Sequence, residues 1–122
     1  NKSHIARAAL EAIALRSREI IIEMEKDSGT KFNNLKVDGG ASNNNLLMQI
    51  QSNLLNTNVI RPKITETTAL GAAFFSGLAS GFWSSIDELK GIWEIDREFC
   101  AAPSKNDESV INNWESRIKK VQ

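Results

Sequence analysis

Asp38-Gly39-Gly40 is the stretch whose residue types point most directly to chemistry. Paired glycines carry no Cβ, so a ligand can come close to the backbone. A helix opening just behind them would offer unpaired N–H groups, which favour a phosphate. Asn44, one turn into that helix, could hydrogen-bond a base or a ribose through its amide. A plain tight turn with a capped helix behind it fits the same residues, and on residue chemistry alone it is the better reading. The stretch is not a Walker A loop, because no Gly-Lys-Ser/Thr follows. Nor is it the Gly-x-Gly-x-x-Gly dinucleotide fingerprint.

The other reactive residues are scattered. His4 is the only histidine and sits beside the chain start, so no Ser–His–Asp arrangement can be built. His4 and Cys100 lie far apart and form no zinc pattern, so no metal site is assigned. A single cysteine cannot bridge internally, which excludes a disulfide-built scaffold and fits a reducing compartment. Asp87 and Glu88 suit the start of a short helix. Glu66, Thr67 and Thr68 suit the start of another. Trp83, Trp93 and Trp114 are dispersed, as expected of core or interface filler and not of a stacking platform.

The elements that must position these residues follow from periodicity. From Ser3 to about Asp27, Ile5, Ala9, Ile13, Ile20 and Met24 recur near a 3.6-residue period, and Gly29 is placed to end the helix. Extra alanines and leucines in its first half predict that this half is nearly surrounded by protein. Arg7 and Glu11, four apart, add a flank contact. Leu35-Lys36-Val37 reads as a strand, broken by Asp38-Gly39-Gly40. Ser42 or Asn43 should cap the next helix, which runs to about Leu55 on Leu46, Leu47, Ile50 and Leu54. Val59-Ile60, ending at Arg61-Pro62, completes a βαβ unit with parallel pairing.

Thr67 to Ile86 contains no charged residue. Its glycines, serines and threonines argue against a membrane span, and Ala69, Ala73 and Gly77 repeat as a small-residue face, so a buried helix is expected over 66–80. An edge strand is expected within Trp93 to Phe99. Ser104 with Asp107 opens a last helix carrying Val110, Ile111, Trp114, Ile118 and Val121, with Lys119 and Lys120 at its end. The 122 residues, 41% hydrophobic and 25% charged, suit one soluble α/β domain. Fifteen basic against fifteen acidic residues leave no positive excess for nucleic acid. Because the first residue is Asn and not Met, the chain is expected to belong to a longer or processed protein, and no targeting segment is recognised.

Val37-Asp38-Gly39-Gly40-Ala41-Ser42-Asn43-Asn44-Asn45-Leu46-Leu47-Met48-Gln49 resembles the adenosine motif of the FGGY carbohydrate kinases, and within that family its glycerol-phosphorylating members. Arg61-Pro62 followed by Glu66-Thr67-Thr68-Ala69-Leu70-Gly71-Ala72-Ala73 resembles the segment after that motif. His4-Ile5-Ala6-Arg7-Ala8-Ala9-Leu10-Glu11 resembles the tail of the family's second signature. Gly77 to Trp83 and Arg97-Glu98-Phe99 continue the likeness, which fades beyond Cys100.

The resemblance implies that residues 1–122 are the C-terminal portion of an actin-like, ribonuclease-H-like ATPase domain, incomplete on its own. It implies a cytoplasmic kinase that phosphorylates glycerol to glycerol 3-phosphate with Mg-ATP. By motif match, Gly40 would set its backbone against the nucleotide phosphates, Asn44 would bind on the adenosine side, and Gly39 and Ala41 would flank the nucleotide. The catalytic aspartate, the Asp-x-Gly-Thr phosphate loop and most of the Mg2+ and glycerol contacts would lie upstream. No catalytic residue is therefore assigned here, and the chain alone is expected to be inactive. Expected partners are ATP or ADP, glycerol in the intact enzyme and the upstream remainder, without nucleic acid or a membrane span; homo-oligomerisation stays open. Two alternatives also stay open: a sibling kinase for xylulose or gluconate, and a non-catalytic interaction module that keeps half an ATPase fold.

Overall fold

The computed structural model describes residues 1–118. Its first element is a long helix, α1 (Lys2–Ser28), capped by the Asn1 side chain and ended by Gly29 at φ 65°. The strand β1 (Asn34–Lys36) leads through Asp38 and Gly39 into a single 3₁₀ turn, Gly40–Asn43, and then into α2 (Asn45–Leu55). The strand β2 (Asn58–Pro62) follows, then α3 (Thr67–Ser80), the short α4 (Ile86–Lys90), β3 (Ile95–Phe99) and α5 (Lys105–Ile118).

The strands form one sheet in the order β1-β2-β3. β1 and β2 run parallel, with Leu35 opposite Val59, so the βαβ unit read from the sequence is present. β3 returns antiparallel to β2. Its register slips by one residue: Arg97 faces Arg61, whereas Ile95 faces Pro62. Asp96 is thus the extra residue of a bulge, a device that redirects a side chain.

α2 is the hub of the core. It packs on β2 and β3 on one side and against α1 and α5 on another. Its Leu47, Met48, Ile50 and Leu54 are buried together with Ala14, Leu15, Val59 and Phe99. Ser52 is fully buried in the same layer, and its Oγ lies 2.8 Å from the Phe99 carbonyl and 3.0 Å from that of Thr57. Trp114 closes the α1–α5 side, its indole N–H donating to Glu19 at 2.7 Å. The expected capping box is formed, with Ser104 and Asp107 bonding reciprocally. Arg7 and Glu11 also pair, at 2.6 Å. Val121, Lys119 and Lys120 lie outside the described residues.

Two expectations about burial are corrected. The first half of α1 is not surrounded by protein: Ile5 is 73% exposed and Ile13 51%. The face carrying Ile5, Ile13, Ile20 and Met24 points outward, and α1 docks instead through Ala14 and Leu15. Likewise α3 buries no residue. Its packing is local, with Trp83 folding back edge-on to Phe74 at 5.5 Å and lying over Gly77, where a Cβ would come within 2.2 Å of the indole ring. Periodicity identifies an apolar face correctly, but a face becomes buried only where another element reaches it.

The Ser52 contacts give a test of the core. The hydroxyl has one proton to donate, and removing it leaves the buried Phe99 carbonyl of β3, the nearer of the two, without that donor, so Ser52→Ala should cost about 1–3 kcal/mol. A lowered urea midpoint with unchanged slope is expected. An unchanged midpoint would show that this carbonyl is satisfied by another route.

Candidate functional site

Ligands of open α/β sheets settle in the crevice beyond the carboxyl ends of parallel strands. Here two segments meet at that edge, the Asp38–Asn44 turn after β1 and the Thr65–Thr68 entry to α3 after β2. They are stitched together directly. Gly39 N–H donates to the Thr65 carbonyl at 2.7 Å, and the Thr67 hydroxyl is hydrogen-bonded to the Asp38 carboxylate.

The turn has its own internal frame. Gly39 sits at φ 75°, ψ 170°, a conformation side chains disfavour. Its carbonyl accepts from both the backbone N–H of Ser42, at 3.1 Å, and the Ser42 hydroxyl, at 2.7 Å. Ser42 is buried, whereas Gly40 and Ala41 between these anchors are exposed. A Cβ built on Gly40 meets open space, so this stretch of backbone is bare to an incoming group.

The structure changes the expected capping. The helix does not open straight after the glycines, because the 3₁₀ turn intervenes, and neither Ser42 nor Asn43 is its cap. Asn44 holds that position: its Oδ1 accepts from Leu47 N–H at 3.1 Å. Asn44 therefore stands before the first turn of α2 and not inside it, with half of its amide engaged. Among the described residues its amide nitrogen makes no hydrogen bond. Gly39, Gly40, Ala41 and Asn44 thus lie on one continuous turn, while His4, Cys100 and the Asp87–Glu88 pair belong to other elements.

Reading by residue type passes over Arg61. This buried arginine of β2 reaches under the turn, donating from Nη1 to the Ser42 carbonyl at 2.8 Å and to Asn45 Oδ1 at 2.9 Å. Its other edge meets Asp96 Oδ2, with Nε at 2.7 Å and Nη2 at 2.6 Å. Two hints lay in the sequence: a charged residue after Val59-Ile60 and directly before a proline, and the place of Arg61-Pro62 in the segment that resembles the family.

Beside the turn, Lys36, Val37, Asp38, Pro62, Thr67 and Trp93 line a cleft of about 180 Å³, with Lys36 Nζ 4.1 Å from the centre of the Trp93 ring. Farther along the β2–β3 edge, Lys63 and Glu94 form an exposed pair. The hydrogen bond between them raises the lysine pKa and lowers that of the carboxyl. Hydrogen bonds from Ser84 likewise lower the pKa of Glu88, at the start of α4. Neither site touches the turn. Among the described residues no three His, Cys, Asp or Glu side chains gather to hold a metal ion. No described helix is long and apolar enough to cross a membrane.

Residues 1–80 match the C-terminal domain of the FGGY family of carbohydrate kinases. A glycerol kinase of Brachyspira hyodysenteriae is 56% identical over 121 residues, covering 98% of this chain and 24% of that protein. One from Burkholderia multivorans is 48% identical over 118 residues, again covering 24% of the relative and 96% of this chain. The crystal structure of Plasmodium falciparum glycerol kinase with ADP superposes at a TM-score of 0.83 with 32% identity, over 98% of this chain and 24% of that one. A xylulose kinase from Lactobacillus acidophilus shares the fold at a TM-score of 0.73 and 19% identity, over 99% of this chain and 24% of that one. The chain thus spans about a quarter of the length of the relatives it matches.

The two glycines should respond to substitution with opposite signs. Gly39→Ala forces a side chain into a disfavoured backbone region and should destabilise the fold by about 1–3 kcal/mol. Gly40→Ala enters a helical position with free space and should stabilise it by about 0.4–1 kcal/mol. Denaturant unfolding of both variants checks this; equal shifts of the same sign would contradict the geometry of the turn.

Proposed function

Because the chain belongs to the FGGY family of carbohydrate kinases, we propose that it forms the C-terminal, nucleotide-side portion of an actin-like kinase that transfers the γ-phosphoryl group of Mg-ATP to glycerol, giving glycerol 3-phosphate. The observation that carries this reading is the agreement along nearly the whole chain with glycerol kinases, at 56% identity in one case. The turn after β1 is the adenosine-side wall. The ADP named with the Plasmodium structure, which shares the fold of this turn's surroundings, supports a nucleotide here.

Each residue of the turn has a chemical part in this reading. Gly40 presents backbone to the phosphates, since a side chain there would occupy the approach. Gly39 makes the bend that brings Gly40 to the surface, and Ala41 keeps the next position small. Asn44 uses its oxygen to cap α2, which leaves its amide N–H groups to donate to the adenosine. Thr65 and Thr67 hold the second wall against the first.

Phosphoryl transfer rests on positioning and on charge stabilisation around the γ-phosphate. The residues described contribute a wall and no base, and no step is assigned to a metal held by them. The catalytic aspartate and the glycerol contacts belong to the upstream remainder of a longer chain, and the enzyme acts in the cytoplasm. The outward apolar face of α1 and the uncovered α3 support further protein packing there, because large exposed apolar patches usually mark contacts.

A coupled assay on the full-length protein with Mg-ATP and glycerol, xylulose, gluconate or ribulose tests the substrate. Turnover with glycerol is expected, and turnover confined to another polyol or sugar would remove glycerol from the assignment. For the nucleotide wall, Asn44→Ser retains a good helix cap but loses the amide donors. It should weaken ATP binding about tenfold, or 1.4 kcal/mol, at nearly constant stability. Undiminished ATP affinity would remove Asn44 from the site.

A further inference from the structure

We propose that Arg61 and Asp96 are positioning residues for the nucleotide: they act through the backbone of the Gly40–Asn43 turn and govern ATP affinity without touching the ligand. The inference rests on the assignment of that turn to the nucleotide site.

The geometry is that of a relay with no spare parts. The Arg61 side chain is 11% exposed, so its charge is held by protein groups and not by water. One edge of the guanidinium is taken by a single carboxylate oxygen of Asp96. The Nη1 group on the other side grips the turn at two points, the Ser42 carbonyl and Asn45 Oδ1. Ser42 in turn holds the Gly39 carbonyl through its hydroxyl and its backbone N–H. The exposed pair Gly40–Ala41 is thus suspended between two anchors, one of which leads to Arg61. The Phe99 ring lies 5.4 Å from the guanidinium carbon and adds a cation–π contact from below.

Asp96 reaches this position because it is the bulge residue of β3. A regular register would carry its side chain to the face given by strict alternation; the extra residue redirects it. Its carboxylate sets the rotation of the guanidinium plane, and that plane decides where Nη1 points. A lysine at position 61 has one ammonium on a flexible stem and cannot serve Asp96 and the turn with a fixed fork. The pair therefore fixes the turn in one conformation before the ligand arrives, which lowers the ordering cost of binding.

Asp96 is the better handle for a test, since its side chain is 44% exposed and removing it leaves the Arg61 contacts to the turn in place. In the full-length kinase, Asp96→Ala should raise the Kd for ATP and the KM for ATP about fivefold, an effect of about 1 kcal/mol transmitted through the turn. The thermal midpoint should fall as well, because the buried guanidinium loses its carboxylate, whereas the KM for glycerol should stay near wild type. Asp96→Asn retains an oxygen acceptor for the guanidinium and should recover most of the ATP affinity, whereas Arg61→Lys should not match wild type. Unchanged ATP affinity in Asp96→Ala and Arg61→Lys, in an enzyme that binds ATP normally, would overturn the positioning role alone. Parallel loss of ATP affinity, glycerol affinity and thermal stability would reduce the pair to a structural element. A wild-type protein that binds no nucleotide would instead remove the assignment of the turn, and this inference with it.

Discussion

A guanidinium buried in a sheet constrains everything around it, because burying a charge is costly unless it is paired and its donors are satisfied. In this chain Arg61 imposes that condition at the carboxyl end of β2. Asp96 meets it on one side through a strand bulge, and the Ser42 carbonyl with Asn45 Oδ1 meets it on the other. The bulge in β3, the 3₁₀ turn and the start of α2 thus each supply a group that satisfies this one residue. The same contacts place the bare Gly40–Ala41 backbone at the sheet edge where ligands of this architecture settle. Structure and candidate site share a single set of hydrogen bonds.

Around this node the chain is unevenly buried. α2 is covered on several sides and contributes more of the core than any other element, with Leu47, Met48, Ile50 and Leu54 all buried. α1 uses only part of its apolar surface, and α3 buries nothing. Such asymmetry is a poor match to a self-sufficient domain and a good match to a chain about a quarter as long as its relatives. The small-residue repeat Ala69, Ala73, Gly77 does have a local use at its last position, since Gly77 is what allows the Trp83 indole to lie against the helix.

Much of the fold was legible before any coordinates. The helical period of α1, the left-handed Gly29 at its end and the Ser104–Asp107 cap of α5 depend on neighbours within a few residues, which sequence displays directly. The parallel β1–α2–β2 unit follows from a strand–helix–strand order with short connections. The site was legible less completely. Gly39 and Gly40 announce a bend and an open backbone, but the cap fell to Asn44 because the 3₁₀ turn uses up Gly40 to Asn43 first. Local propensity ranks Ser and Asn alike as caps, and only the path of the backbone chooses among Ser42, Asn43 and Asn44.

By itself the sequence determined which segments are helix or strand, where a glycine bend must fall and, through its ordered motifs, to which kinase family the chain belongs. All of these are properties of residues close together along the chain or of a pattern read in order. Only the tertiary structure decided that Arg61 and Asp96 meet, 35 positions apart. It alone also decided that the guanidinium reaches Ser42, and that the apolar faces of α1 and α3 lie open. Contacts of that kind depend on strand register and on which surfaces come together. A one-residue slip in β3 changes which side chains meet, while leaving every local propensity as it was.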